Sequence, residues 1–161
     1  MVSPFKTFAT ILPMVKPVFT LGADPAALKL REEVFILEQG YDYDKDDYDD
    51  RCWSLTLYLD ETCVATGRLI EEDPETYRIG RVAVKKEFRH KKVGSYAMKF
   101  LMAKARELGA RKAVVHAQVD KAPFYRQLGF KEVDGEIFLE DGTPHVTMVR
   151  SIVSKRRYGK R

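Results

Sequence analysis

The chain has 161 residues, 45% of them apolar and 11% aromatic, with a formal net charge of +4. That length and apolar content suit one folded domain with a sizeable core and argue against a disordered chain. No apolar run approaches a membrane span, and two cysteines, Cys52 and Cys63, are too few for a disulfide scaffold and lack metal-ligand spacing, so a reduced, cytoplasmic protein is expected.

The opening residues, MVSPFKTFATILPMVKPVF, carry neither a charged leader region nor a small-residue cleavage site, so no export is expected. Val15 to Leu21 has strand composition. Asp24-Pro25 supplies an N-cap followed by proline at the first helical position, and the helix so opened runs to about Gln39, where Gly40 stops it. Its apolar positions Ala27, Leu30, Val34 and Leu37 recur at steps of three and four and describe one face to bury.

An acidic stretch follows, with Asp42, Asp44, Asp46, Asp47, Asp49 and Asp50 between tyrosines. It lacks the turn glycine of a calcium loop, and Trp53 stands where that loop needs a bidentate glutamate, so no metal site is expected. Read plainly, it is a solvated loop in which aspartates form turns. The sharper reading is that carboxylates such as Asp46 and Asp50, with the tyrosines, attract a cationic acceptor.

Ser54 to Leu59 and Val64 to Glu71 read as antiparallel strands joined at Asp60-Glu61, and Thr76 to Val84 as the third strand of a meander. From Val93 to Leu108, apolar residues at Val93, Tyr96, Ala97, Phe100, Leu101, Ala105 and Leu108 form one helical stripe that ends at Gly109. Ala113 to Gln118 is short and nearly all apolar, as an interior strand should be. Ala122 to Leu128 makes a short helix. Lys131 to Leu139 and His145 to Ile152 are two last strands turned at Asp141-Gly142. The sum is a mixed, mostly antiparallel α/β sheet with helices on both faces, in one domain over residues 1–154. The tail, 155–161, is basic; with Tyr158 its one aromatic, it does not match the basic and aromatic interleaving of a single-strand nucleic-acid binder.

The densest pattern lies between Ile79 and Phe130. A strand, IGRVAV, feeds a basic turn, RHKKVGS, that opens a long helix; a second strand, KAVVHAQ, then leads to FYRQLGF. A strand that turns into a helix start gathers free backbone N–H groups, the positive helix end and Lys/Arg charge at one point, which suits a pyrophosphate. By itself the basic turn is a common solvated feature. In this context it resembles the GNAT superfamily of N-acetyltransferases, whose cofactor loop reads Arg/Gln-x-x-Gly-x-Gly/Ala. Here the loop is Arg89-His90-Lys91-Lys92-Val93-Gly94, with Lys92 at the usual first glycine. A side chain there either obstructs the pyrophosphate or takes the required backbone angle at some cost. The resemblance runs from about Val15 to Arg150 and is greatest to the small ElaA-like branch, through Val34-Phe35, Glu38-Gln39, Ala117-Gln118, His145 and Met148.

The resemblance implies a GNAT fold and an acetyl-CoA-dependent transfer of acetyl to a primary amine, on a small molecule or a protein. It implies that the backbone of Val82, Ala83 and Val84 holds the pantetheine arm, that Arg89, His90, Lys91, Lys92, Val93, Gly94 and Ser95 hold the pyrophosphate, and that Gln118 contacts the cofactor. It places Tyr125 as the acid for the departing thiolate. The amine needs a base, for which Glu38, His116 and His145 are candidates, the first two slightly ahead and His145 also placed at the acceptor. A non-catalytic acyl-CoA sensor is the alternative. Neither a membrane nor a nucleic-acid partner is expected, and a homodimer is compatible with the family.

Overall fold

The computed structural model describes residues 14–153. The readings of the first thirteen residues and of the basic tail lie outside the described residues. Within them, the strands are β1 Val15–Leu21, β2 Trp53–Leu59, β3 Thr62–Asp73, β4 Thr76–Val84, β5 Lys112–Gln118, β6 Lys131–Glu132, β7 Phe138–Glu140 and β8 Thr143–Ser151. They form one sheet in the order β1-β2-β3-β4-β5-β8-β6, with β7 also on β8. This is the mixed, mostly antiparallel sheet expected. Its one parallel pair among the described strands is β4 with β5. A parallel pair needs a crossover, and helix α2, Val93–Glu107, supplies it.

Helix α1 starts at Pro25–Arg31, where the Asp24 carboxylate accepts the Ala26 N–H at 2.8 Å. It continues as a π-helical stretch, Glu32–Glu38, whose wider winding ends when Gly40 takes φ 80°. That winding corrects one expectation. Ala27, Leu30 and Val34 are buried, but Leu37 is 75% exposed, because π turns shift the 3.6-residue phase on which the stripe was read. Leu30 and Val34 pack on Ala83 of β4.

Helix α2 covers the opposite face. Val93, Ala97, Met98, Leu101, Met102 and Ala105 join Leu55, Leu57, Ile79 and Val115 in the main core. It lies so close to β3 that a Cβ added at Gly67 would stand 2.5 Å from Leu101 Cδ1. Helix α3, Ala122–Gln127, follows β5. The strand expected over Lys131 to Leu139 is broken: β6 and β7 both lie on β8, and a turn at Asp134-Gly135, where the Asp134 carboxylate accepts the Glu136 N–H at 2.9 Å, separates them.

Candidate active site

Strands β4 and β5 pair over only four positions, from Thr76 with Lys112 to Ile79 with Val115, and then part. A bulge sits at the parting. The β3 register jumps from Arg68 opposite Gly80 to Thr66 opposite Ala83, and Arg81 adopts φ 52° to absorb the extra residue. Beyond it, the Lys85 N–H returns to the Val64 carbonyl on β3 at 2.8 Å. Backbone groups alternate along a strand, so those of Val84 and Val82 point the other way, into the space that β5 has left.

That space is a cavity of about 710 Å³ that runs through the sheet. At one mouth, the chain leaves β4 and climbs to α2 with His90 at φ 62° and Lys92 at φ 67°. Lys92 therefore takes the left-handed angle itself. The first turn of α2 has no side-chain cap and no acidic residue, and the first helical bond is Tyr96 N–H to the Lys92 carbonyl at 3.1 Å. The N–H groups of Val93, Gly94 and Ser95 thus have no helical carbonyl to bond, at the positive end of the helix, in the cavity wall. This donor set fits a pyrophosphate. Lys91, expected with them, does not line the cavity.

Tyr125 lines the same cavity from α3, with its ring edge-on to Phe124 and Phe130 at 5.1 and 5.9 Å between centroids. Among the described residues its hydroxyl has no hydrogen-bond partner, and burial pushes it up to about 12. It is therefore a protonated donor throughout the physiological range.

The far half of the cavity is built from α1, the acidic loop and the β7–β8 hairpin. Tyr41 donates to Thr143 Oγ1 at 2.9 Å and accepts from Gln118 Nε2 at 3.2 Å, while Tyr43 donates to Asp141 at 2.8 Å. His116 Nδ1 lies 2.9 Å from Glu140, whose carboxyl is held below its ordinary range by that hydrogen bond. His145 Nδ1 lies 2.7 Å from the Thr143 carbonyl, and Phe138 sits between the two imidazoles.

Three sequence expectations move. Glu38 does not line the cavity. It forms a two-point pair with Arg89, at 2.6 and 2.9 Å, and Arg89's hydrogen bond keeps it ionised, so its task is to hold Arg89, which also donates to the Val84 carbonyl at 3.0 Å. Asp46 is turned inward. It takes two bonds from Arg68 at 2.7 Å each and one from Arg81 at 3.3 Å. Asp50 is exposed and away from the cavity.

The acidic loop is therefore a folded cluster, not a solvated wall. Asp49 binds Arg31 at 2.7 and 3.0 Å and Arg68 at 2.9 Å, Asp44 binds Arg31 at 2.8 Å, and all four are under 9% exposed. Asp44 Oδ1 also lies 3.0 Å from Arg81 Nε, close enough to pair though out of line for a hydrogen bond. Tyr41 and Tyr43, which sequence reading took together with the acidic loop, line the cavity. Glu140 and Asp141 are among the lining residues it missed, and their only signal was the Asp141-Gly142 turn, which brings the end of β7 over the cavity.

A bulged, splayed mixed sheet with a positive helix start at one mouth and an unpartnered phenol inside defines a cradle for an acylated, pyrophosphate-bearing cofactor. Residues 24–130 match the Acetyltransferase (GNAT) family, and the chain belongs to it. It is 38% identical over 123 residues to a UPF0039 protein of Schizosaccharomyces pombe, covering 74% of this chain and 81% of that one. Among solved structures, Escherichia coli ElaA is 29% identical with a TM-score of 0.75, over 86% of this chain and all of that one. A GNAT family acetyltransferase from Elizabethkingia anophelis, solved with acetyl-CoA bound, shares the fold at a TM-score of 0.69 and 18% identity, over 86% of this chain and 98% of that one. Family membership supports acyl transfer as the activity.

Proposed function

We propose that the chain is an acetyl-CoA-dependent N-acetyltransferase that moves the acetyl group directly to a primary amine, with no covalent enzyme intermediate. The observation that carries this reading is the cavity itself. It joins the helix-start donors of Val93 to Ser95, the outward backbone of Val82 and Val84, and the unpartnered Tyr125 hydroxyl to a second half lined by His116, His145 and Gln118. Acetyl-CoA, when bound, supplies an activated thioester. Arg89 and Lys92 add charge around the pyrophosphate, and Tyr125 holds the proton that a departing thiolate needs.

His116 is the better base, since it faces the cavity while Glu38 is committed to Arg89. No helix among the described residues is long and apolar enough to cross a membrane. Cys52 and Cys63 are free thiols, which supports a reducing compartment such as the cytoplasm.

The experiment is calorimetry of acetyl-CoA binding together with thiol release against small amines and lysine peptides. Binding is expected in the native chain and in Tyr125→Phe alike. Amine-dependent thiol release should fall in the variant by about 10²-fold, the usual worth of a positioned acid. Binding without release from the native chain, across the amine panel, would reject catalysis in favour of an acyl-CoA sensor.

A further inference from the structure

The acceptor half of the cavity can be read by asking which hydrogen-bonding valences its side chains leave open. Glu140 is ionised, so it only accepts, and the proton between it and His116 must sit on His116 Nδ1. The Thr143 carbonyl likewise only accepts, which puts the proton of His145 on Nδ1. Both rings line the cavity, and among the described residues neither Nε2 has a partner, although His145 is only 6% exposed. Gln118 spends its amide N–H groups on Tyr41 at 3.2 Å and Gln39 at 3.5 Å, leaving its oxygen open.

His116 and Gln118 stand two residues apart on β5, hence on one face of the sheet, and Gln118 pairs directly with His145 across β8. The open valences on this face are therefore three acceptors: two imidazole nitrogens and one amide oxygen. The arginines in this half are all ion-paired, and the one donor nitrogen of Arg68 that has no partner among the described residues, its Nε–H, is buried. Arg68 is paired with Asp46 and Asp49, Arg78 with Glu72, and Arg81 with Asp44 and Asp46. An alkylammonium offers three N–H donors and no acceptor, whereas an alcohol offers one donor and needs donors in return.

We propose that His116, His145 and Gln118 receive the acceptor as an alkylammonium, and that Glu140 is a positioning residue that keeps His116 Nε2 free to take its proton. This deepens the transferase reading above and rests on it for the chemical step. In that step a C–N bond forms and the thioester C–S bond breaks. Of the two protons that leave nitrogen, one balances the thiol and one reaches solvent through His116. Besides His116, the charged or titratable groups acting on Glu140 are His145 on β8 and Arg78 on β4.

The test begins without acetyl-CoA. The chain has three histidines, so ring ¹⁵N spectra are readily assigned by substitution. At a pH where the rings are neutral, His116 and His145 should both be Nδ1–H tautomers. Glu140→Ala should release His116 from that tautomer and leave His145 unchanged. Propylamine should move both Nε2 resonances, and propanol, of the same size, should not. A native His116 that carries its proton on Nε2, or an equal response to propanol, would overturn the proposal.

In turnover, Glu140→Ala should lower kcat by about 10²-fold with the KM for acetyl-CoA unchanged, the split expected of a disordered base. A raised acetyl-CoA KM with kcat intact would also overturn it. Absence of thiol release from the native chain with every amine would sink the transferase reading and His116's role as base, while the tautomers and the propylamine response would still decide the ammonium site.

Discussion

Lys92 sits at φ 67°, a left-handed angle that costs an ordinary side chain about 1–2 kcal/mol and glycine almost nothing. The sequence posed the choice between obstruction and strain, and the backbone takes the strain. The loop's remaining glycine has a different task. A Cβ added at Gly94 would meet Val84 Cγ2 at 3.5 Å and Phe124 Cζ at 3.6 Å, ordinary contact distances, so the fold does not forbid a side chain there. Any atoms beyond Cβ would occupy the cavity that Gly94 lines. Gly94→Leu should therefore keep its melting temperature within about 4 °C, near a 1 kcal/mol change, while calorimetry shows acetyl-CoA affinity reduced at least tenfold. Equal affinity would mean that the cofactor does not pass Gly94. Among residues, the place of Tyr125 and of most of the loop on the cavity was legible because the motifs that carry the family resemblance are local. Glu38 was not, because its partner Arg89 is 51 positions away.

At the scale of elements, helix α2 and strand β4 were legible almost to the residue, since stripe and alternation express burial directly. The acidic loop was not. Six aspartates in nine positions look solvated, and what buries Asp44 and Asp49 and turns Asp46 inward is a set of arginines from α1, β3 and β4. This cluster has a pH signature. Burial alone would raise Asp49, but hydrogen bonds from Arg31 and the Asp46 amide, with the charges of Arg31 and Arg68, hold it at about 2, below its ordinary 3.8. A depressed carboxylate stabilises the fold above its unfolded value and loses that contribution as pH falls toward its folded one, so about 2 kcal/mol should vanish between roughly pH 4 and pH 2. Urea unfolding across that window should show the loss, and Asp49→Asn should flatten it; an unchanged profile would remove Asp49 from the account.

The π winding of α1 was equally hidden, having no compositional mark. It carries the chain to Tyr41, which bonds Thr143 and Gln118. Deleting one residue within Glu32–Glu38 should restore α geometry and misplace Tyr41. The acceptor's KM should then rise by about tenfold, the worth of one hydrogen bond, with acetyl-CoA binding retained. Loss of both together would show that the deletion damages the sheet.

For the whole molecule, the decisive feature is the opening between β4 and β5. The resemblance implied that the backbone of Val82, Ala83 and Val84 is free to hold a pantetheine arm, but two adjacent apolar strands read alone give no sign of where their pairing stops. The stop becomes visible only with the bulge at Arg81, whose guanidinium reaches the Asp44 carbonyl at 3.0 and 3.2 Å. Hydrogen exchange should report it. The outward amides of Val82 and Val84 should exchange faster than their neighbours in the free protein, and saturating acetyl-CoA should slow them by about tenfold or more, as a new hydrogen bond would. Slow exchange in the free protein would mean that the edge is already closed.

The same opening ties ligand occupancy to the completion of folding. Strands β1 to β4 and strands β5 to β8 are two antiparallel halves that meet along four paired positions, and the cavity takes walls from both. Neither half encloses it alone, so a molecule bound there belongs only to the fully assembled state. At a hundred times its dissociation constant such a molecule adds about 2.7 kcal/mol to unfolding. A thermal-shift survey of acyl thioesters would therefore rank donors by affinity without knowledge of the amine, with the seam between the halves acting as the sensor.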